Sequence, residues 1–480
     1  MSDHVDVLII GAGLSGIGAA AHLAKDLPGT SYAVLERREA SGGTWDLFRY
    51  PGVRSDSDMF TLGYRFRPWR GTTALADGAS ILRYVRDTAQ AYGVDRHIRY
   101  GHHVTSAAWD SDTARWTVTA EVDGEPRQVT ADFLWACSGY YDYDQGYTPH
   151  FEGQERFAGR VVHPQHWPED LDHEGKRVVV IGSGATAVTL VPALAASGAD
   201  RVTMLQRSPT YVLPLPAQDG FARRARRLLG DRLSYPLVRA KNIGVATALY
   251  QLSRRRPRLV RRLIRAANVR LLPEGYEVDT HFNPAYDPWD QRLCLVPDGD
   301  LFHAIGSGRA DVVTGRIRTF TETGIELESG AHLDADVVVT ATGLNVRVFG
   351  GAELVVDGAT VKPHETMAYR AMMLSGVPNF AFTIGYTNAS WTLKADLVAE
   401  YVVRLLRHLR ETGARSVVPV RDPSVAEVPL MDFDAGYVQR VIHTLPRQGA
   451  VAPWQLKQNY LHDARTLRRG RIDDGVLTFR

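Results

Sequence analysis

The sequence predicts an α/β chain of two doubly wound, parallel-sheet units, the first interrupted by an antiparallel meander and the second by a helical insertion. Three observations predict it. Short apolar runs at residues 5–10 and 177–181 each pass straight into a glycine-rich loop and then a small-residue helix. Between them, residues 103–136 change to a period of two, with turn residues at 110–112 and 123–124. At 480 residues the chain is also too long for one compact core.

In the first unit, the run at 5–10 reads as a parallel strand buried on both faces. It leads into Gly11, Gly13 and Gly16, with Ser15 in the first turn of the helix. Glycines there allow a tight turn and a close approach of backbone to a pyrophosphate at the helix N-terminus. The next strand, 32–35, ends at Glu36, whose carboxylate suits the two ribose hydroxyls of FAD or NAD and repels a 2′-phosphate. An irregular stretch follows: Gly42, Gly43, Thr44, Trp45, Asp46, Leu47, then Tyr50, Pro51, Gly52, Arg54, Ser55 and Asp56. A bare surface loop has little use for Trp45 and Tyr50, so the stretch is expected to fold over a cofactor. A helix is expected over 80–98, then the meander, ending in a run to Gly139. Cys137 reads as a small core residue.

The second unit repeats the strand–loop–helix pattern through Gly182, Ser183, Gly184, Ala185, Thr186 and Ala187. Its second strand, 202–205, ends not in an acid but in Gln206, Arg207 and Ser208. A guanidinium beside a hydroxyl fits a 2′-phosphate, hence NADPH, against the alternative of a solvent-facing arginine. Residues 221–270 then carry fifteen Lys and Arg against Asp231 alone. That is a net +14 in a chain totalling +2, leaving −12 elsewhere. Leucines recur there at helical spacing, so the segment reads either as a solvated helical subdomain or as a basic amphipathic surface for an anionic membrane. No nucleic-acid module accompanies the charge, and no nucleic-acid partner is expected.

Composition narrows the class. With 44% hydrophobic and 23% charged residues the chain reads as soluble and globular. No apolar run approaches the roughly 20 residues that span a bilayer. The chain enters a strand just after Met1, which predicts no leader and a cytoplasmic setting. Cys137 and Cys294 form no C-x-x-C pair, which excludes a disulfide framework and a dithiol reductase. The expected domains are 1–148, 149–334 with an insertion at about 215–288, and 335–480, the return running through residues 336–343. The stretch 387–394 and a helix over 395–407 are expected to close the cofactor and substrate cavity.

The connector between the two loops carries Phe157, Gly159, His163, Trp167 and Pro168. It resembles the F-x-G-x-x-x-H-x-x-x-W-P fingerprint of the type I Baeyer–Villiger monooxygenases. Gly42, Gly43, Trp45, Tyr50, Pro51, Gly52 and Asp56 resemble that family's second fingerprint, and residues 289–297 its segment with a catalytic arginine. The resemblance implies a two-dinucleotide-binding flavoprotein fold with FAD in the first unit and NADPH in the second. It implies a reaction that inserts one oxygen of O2 beside a ketone carbonyl, or oxygenates thioether or thioamide sulfur. A flavin N- or S-oxygenase without ketone activity, and a membrane-associated redox flavoprotein, are the rival readings. By resemblance Arg292 is catalytic, Asp56 pairs with it beside the flavin, Val104 lies near the adenine, and His163 couples the domains. Many members carry Lys where this chain has Gln291, which shifts the reading of the 2′-phosphate onto Arg207.

Overall fold

The computed structural model describes residues 3–71, 73–291, 293–431 and 435–480. The first sheet runs, edge to edge, Ala359–Thr360, Glu353–Val356, His103–Asp110, Arg115–Val122, Glu125–Ala136, Asp3–Ile10, Tyr32–Leu35 and Ile98–Arg99. Phe380–Phe382 adds a ninth strand beside Glu125–Ala136. One long strand therefore serves both halves. Residues 125–131 pair antiparallel with Arg115–Val122, while residues 129–136 pair parallel with Asp3–Ile10. The pattern along it explains the dual role: its first four residues are exposed and its last four are all buried.

The second sheet has five parallel strands in the order Ala310–Thr314, Arg201–Gln206, Arg177–Ile181, Val337–Thr340 and Arg160–Val162. This corrects the expected boundary at 334/335. Val337–Thr340 is an inner strand of the second sheet and not the return into the first. An all-buried Val-Val-Val-Thr run is what any inner parallel strand presents, so local pattern could not assign it. The return is the next strand, Leu344–Val346, which pairs antiparallel with Tyr141–Gly146 on the outward crossing. Both crossings thus form one two-stranded ribbon.

Alternate residues of the inner strands feed cores on opposite faces. Val7 and Ile9 enter one cluster and Leu8 and Ile10 another; Val178 and Val180 enter a third, Val179 and Ile181 a fourth. Helices Leu14–Asp26 and Trp391–Thr412 pack together in the first core. The expected helix over 80–98 is Gly78–Ala91 followed by a 3-10 turn, Val94–His97.

The insertion holds helices Gly220–Arg255, broken at Gly230 (φ 68°), and Pro257–Leu271. By sequence it belongs to the second unit, yet the longer helix packs on Met59–Leu62 of the first. Arg239, buried, donates to the Phe60 and Gly63 carbonyls at 2.8 and 2.6 Å and lies 3.6 Å from Asp396. It satisfies carbonyls that the short helix leaves open at its C-terminus. Among the described residues no helix is long and apolar enough to cross a membrane, and no cluster of metal-ligating side chains occurs.

Candidate active site

Both glycine loops adopt the geometry their sequence requires. Gly11 (φ +99°) donates to Leu35 O at 2.8 Å, and a Cβ on it would lie 2.9 Å from Cys137 O. Gly182 (φ +139°) donates to Leu205 O at 2.8 Å, and its Cβ would lie 2.3 Å from Ala341 O. In each case the loop is pressed against the carbonyl that leaves the neighbouring strand. Gly16 sits so close to Gly11 O that a Cβ would meet it at 1.8 Å, which makes it a helix-packing glycine. The helices that follow start at Gly13 and Gly184 with no side-chain cap and no acid in the first turn, so their N-termini present open N–H groups to an anion.

A cavity of about 520 Å³ runs between the two units. Of the sequence-predicted residues, Gly11, Gly13, Ser15, Glu36, Thr44, Trp45, Arg54, Ser55, Asp56 and Val104 line it from the first unit, with Gly184, Ala185 and Thr186 from the second. Glu36 is buried, and its carboxylate accepts from the Ala12 and Arg38 N–H groups at 2.7 and 2.9 Å. Burial raises its pKa, against the pull of those two bonds. The Ser15 hydroxyl accepts from Trp391 Nε1 at 2.7 Å, which ties the first turn to the 391–412 helix. Arg54 grips Asp300 with two bonds, 2.5 and 3.3 Å, across the unit boundary.

Other predicted residues lie off this wall. Asp46 is turned inward, with Arg38 at 2.6 Å, Arg86 at 2.7 Å and Arg49 at 3.5 Å, so it holds the loop and does not touch the cavity. Leu47 and Ala187 are packed in the core of the second unit. Gly182 is spent on the turn, and Ser183 on a 2.7 Å bond with the Thr210 hydroxyl. Arg207 and Ser208 are exposed at the end of their strand. Arg292 lies outside the described residues.

The sequence reading missed an aromatic wall. Tyr140, Tyr141 and Tyr143 line the cavity; Tyr140 stacks on Trp391 at 5.4 Å and on Tyr437 at 6.4 Å. The signal was three tyrosines in four residues directly after Gly139. His163 stands in the ribbon between the units: Nε2 lies 3.2 Å from Gly343 O, and Nδ1 accepts from Gln165 N at 3.1 Å. A Cβ on Gly146 would lie 1.9 Å from its ring, so the histidine fills the gap between the two crossings. Burial pulls its pKa down.

A second, largely apolar cavity of about 400 Å³ adjoins the first, and Asp56, Ser57, Leu295 and Ala389 line both. Its further walls include Ile243, Leu249 and Tyr250 of the inserted helix, with Trp289 and Leu393. Half-buried Asp56 thus stands at the junction. The geometry offers a dinucleotide-sized cleft that opens, at a carboxylate, into a chamber for an apolar molecule.

The model of the flavin-binding monooxygenase-like family matches residues 74–357, and that of an NAD(P)-binding Rossmann-like domain matches 9–70. The FAD-containing monooxygenase EthA of Mycobacterium tuberculosis is 57% identical over 100% of this chain and 98% of its own length. Two solved structures share the fold at low identity. Cyclohexanone monooxygenase in an open form has a TM-score of 0.76 at 20% identity over 100% of both chains, and oxidised steroid monooxygenase bound to NADP 0.75 at 22% over 99% of both. With more than half of its length matched by the family model and a full-length relative at this identity, the chain belongs to the flavin-binding monooxygenase-like family.

Proposed function

We propose that the chain is a Baeyer–Villiger monooxygenase that uses NADPH and O2 to insert one oxygen atom beside a ketone carbonyl, and that also oxygenates thioether or thioamide sulfur. The observation that carries this reading is the junction: a two-nucleotide cleft meets an apolar chamber at Asp56. The enzyme is an FAD- and NADPH-dependent flavin monooxygenase, and its residues fit those groups. Gly11, Gly13 and the open N-terminus of helix Leu14–Asp26 would take the FAD pyrophosphate, Glu36 the ribose and Val104 the adenine side. A Cβ on Gly43 would lie 2.9 Å from Gly13 Cα, so the loop at 42–47 packs bare backbone on the first glycine turn and has no room for a side chain there. Gly184, Ala185 and Thr186 would take the NADPH pyrophosphate, and Arg207 its 2′-phosphate.

Bound FAD supplies hydride acceptance from NADPH and the activation of O2. The chain supplies binding, charge and dryness. Arg292 is proposed to stabilise negative charge developing on the substrate oxygen, as a guanidinium stays protonated at any working pH. Asp56 would fix and balance that charge. The aromatic wall of Tyr140 and Trp391 excludes water on one side of the cleft, and Leu295 and Leu393 do so in the chamber. His163 stands outside both cavities and is proposed to couple the units.

The test is purified protein with NADPH and a panel of ketones and thioethers, products identified by mass spectrometry, beside Arg292→Ala. Ester or lactone is the expected product. The variant should keep FAD and its reduction by NADPH, yet lose product formation by roughly a hundredfold or more. Sulfoxide alone would make the enzyme a sulfur oxygenase. Ester formation by Arg292→Ala at the wild-type rate would remove Arg292 from the chemistry.

A further inference from the structure

We propose that the outward face of the inserted helix, which walls the apolar chamber, beds on an anionic lipid bilayer. The proposal rests on what the helix shows to solvent. Between Leu233 and Leu252, nine residues are exposed, and all nine are apolar: Leu233, Pro236, Leu237, Ala240, Gly244, Val245, Ala246, Ala248 and Leu252. An ordinary surface helix puts its charged face outward. This one buries Arg239 and turns Leu233 out at 63% exposure and Val245 at 60%. The pattern continues at both ends, with Leu228 80% exposed before the Gly230 break, and Leu259 and Leu263 at 46% and 57% on the next helix. Contiguous exposed apolar surface of this kind marks an interaction site.

The charges around it select the partner. Arg223, Arg224, Arg227 and Arg232 precede the stripe; Arg255, Arg256, Arg258, Arg262 and Arg270 follow it. All are exposed, and among the described residues none has an ion-pair partner. Leucines between unpaired arginines match the acyl and phosphate layers of an anionic bilayer surface. A second copy of the chain fits poorly, because a symmetric contact would face this +14 segment with itself. Nucleic acid would engage the arginines and leave the leucines without a partner.

The opposite side of the same helix walls the chamber through Ile243, Leu249 and Tyr250, and Val245 belongs to both chamber lining and outer surface. Docking would set the chamber beside the bilayer, where apolar substrates concentrate. That consequence alone rests on the monooxygenase reading; vesicle binding is measured without turnover and stands apart from it.

The experiment is flotation of the full chain with vesicles of phosphatidylglycerol in phosphatidylcholine, and of phosphatidylcholine alone, at low and high salt. The variants are Leu233→Asp with Leu237→Asp, and Arg224→Glu with Arg227→Glu and Arg232→Glu. Binding to the anionic vesicles at low salt is expected, weakened at high salt and falling at least roughly tenfold in each variant. Retained FAD absorbance and NADPH oxidation with a water-soluble ketone would show that the variants are folded. No binding to anionic vesicles, or binding unchanged in both variants, overturns the proposal. So does a concentration-dependent dimer abolished by the leucine substitutions, or retention on duplex DNA without lipid binding.

Discussion

Asp46 and Arg207 show how far a single residue can be read. Both stand in motif context, but motif position does not say which way a side chain turns. Asp46 lies in the loop that covers the cleft, and only the fold reveals Arg38 and Arg86 waiting behind it. Asp46→Asn should therefore cost stability first, about 2 kcal/mol once the partial exposure of those arginines is allowed for. Chemical denaturation checks it, with FAD affinity of the folded fraction close to wild type. Arg207 sits exposed at its strand end, open to a ligand phosphate. Arg207→Ala should raise KM for NADPH far more than for NADH, because only the former carries a 2′-phosphate. Equal rises would show that the side chain does not read that group, leaving Gln291 and its neighbours to explain any preference.

At the scale of elements, what is local was legible and what is long-range was not. A parallel strand, its glycine turn and the helix after it form one contiguous unit, so Gly11 and Gly182 could be placed from sequence alone. The meander was legible because its period of two and its turns are contiguous as well. Val337–Thr340 was not, since its place beside Arg177–Ile181 depends on partners about 160 residues away. The packing of helix Leu14–Asp26 on Trp391–Thr412 was equally hidden, and it holds a titratable pin. His22 is buried with Nδ1 3.0 Å from Asp26 and Nε2 3.5 Å from Asp396. Burial alone would discharge the ring, but the two carboxylates overcome it and raise its pKa from 6.5 to about 9. The protonated ring thus favours the folded state fully below pH 6.5, and this contribution fades as pH rises to about 9. It is worth no more than about 3 kcal/mol. Unfolding measured from pH 6 to 10 should show that decline, and His22→Gln should flatten it. A wild-type profile as flat as the variant's would mean the ring is not held protonated.

For the whole molecule, the question is how two sheets that share one cleft stay in register. The chain crosses between them through a single ribbon, Tyr141–Gly146 with Leu344–Val346, and His163 is wedged against it. A two-stranded ribbon can twist, so on its own it would let the second unit swing. Opposing contacts limit that swing. The loop at 47–52 packs into the second core, where a Cβ on Gly52 would lie 2.6 Å from Ala193, and Arg54 holds Asp300 by two bonds. Arg54 was expected to bind cofactor, and it does line the cleft. Its guanidinium, however, is engaged by an acid of the opposite unit, so it ties the two units together and is proposed to align the two nucleotide sites. Hydride transfer between two bound rings tolerates little misplacement; an error of about 1 Å can cost a hundredfold. Asp300→Asn removes the charge from that clamp while keeping its shape. It should leave FAD affinity unchanged and slow the anaerobic reduction of FAD by NADPH at least roughly tenfold, with a smaller rise in KM for NADPH. Stopped-flow absorbance of the reductive half-reaction measures it. A variant that reduces FAD at the wild-type rate would show that the ribbon and the packed loop at 47–52 align the units without the ion pair.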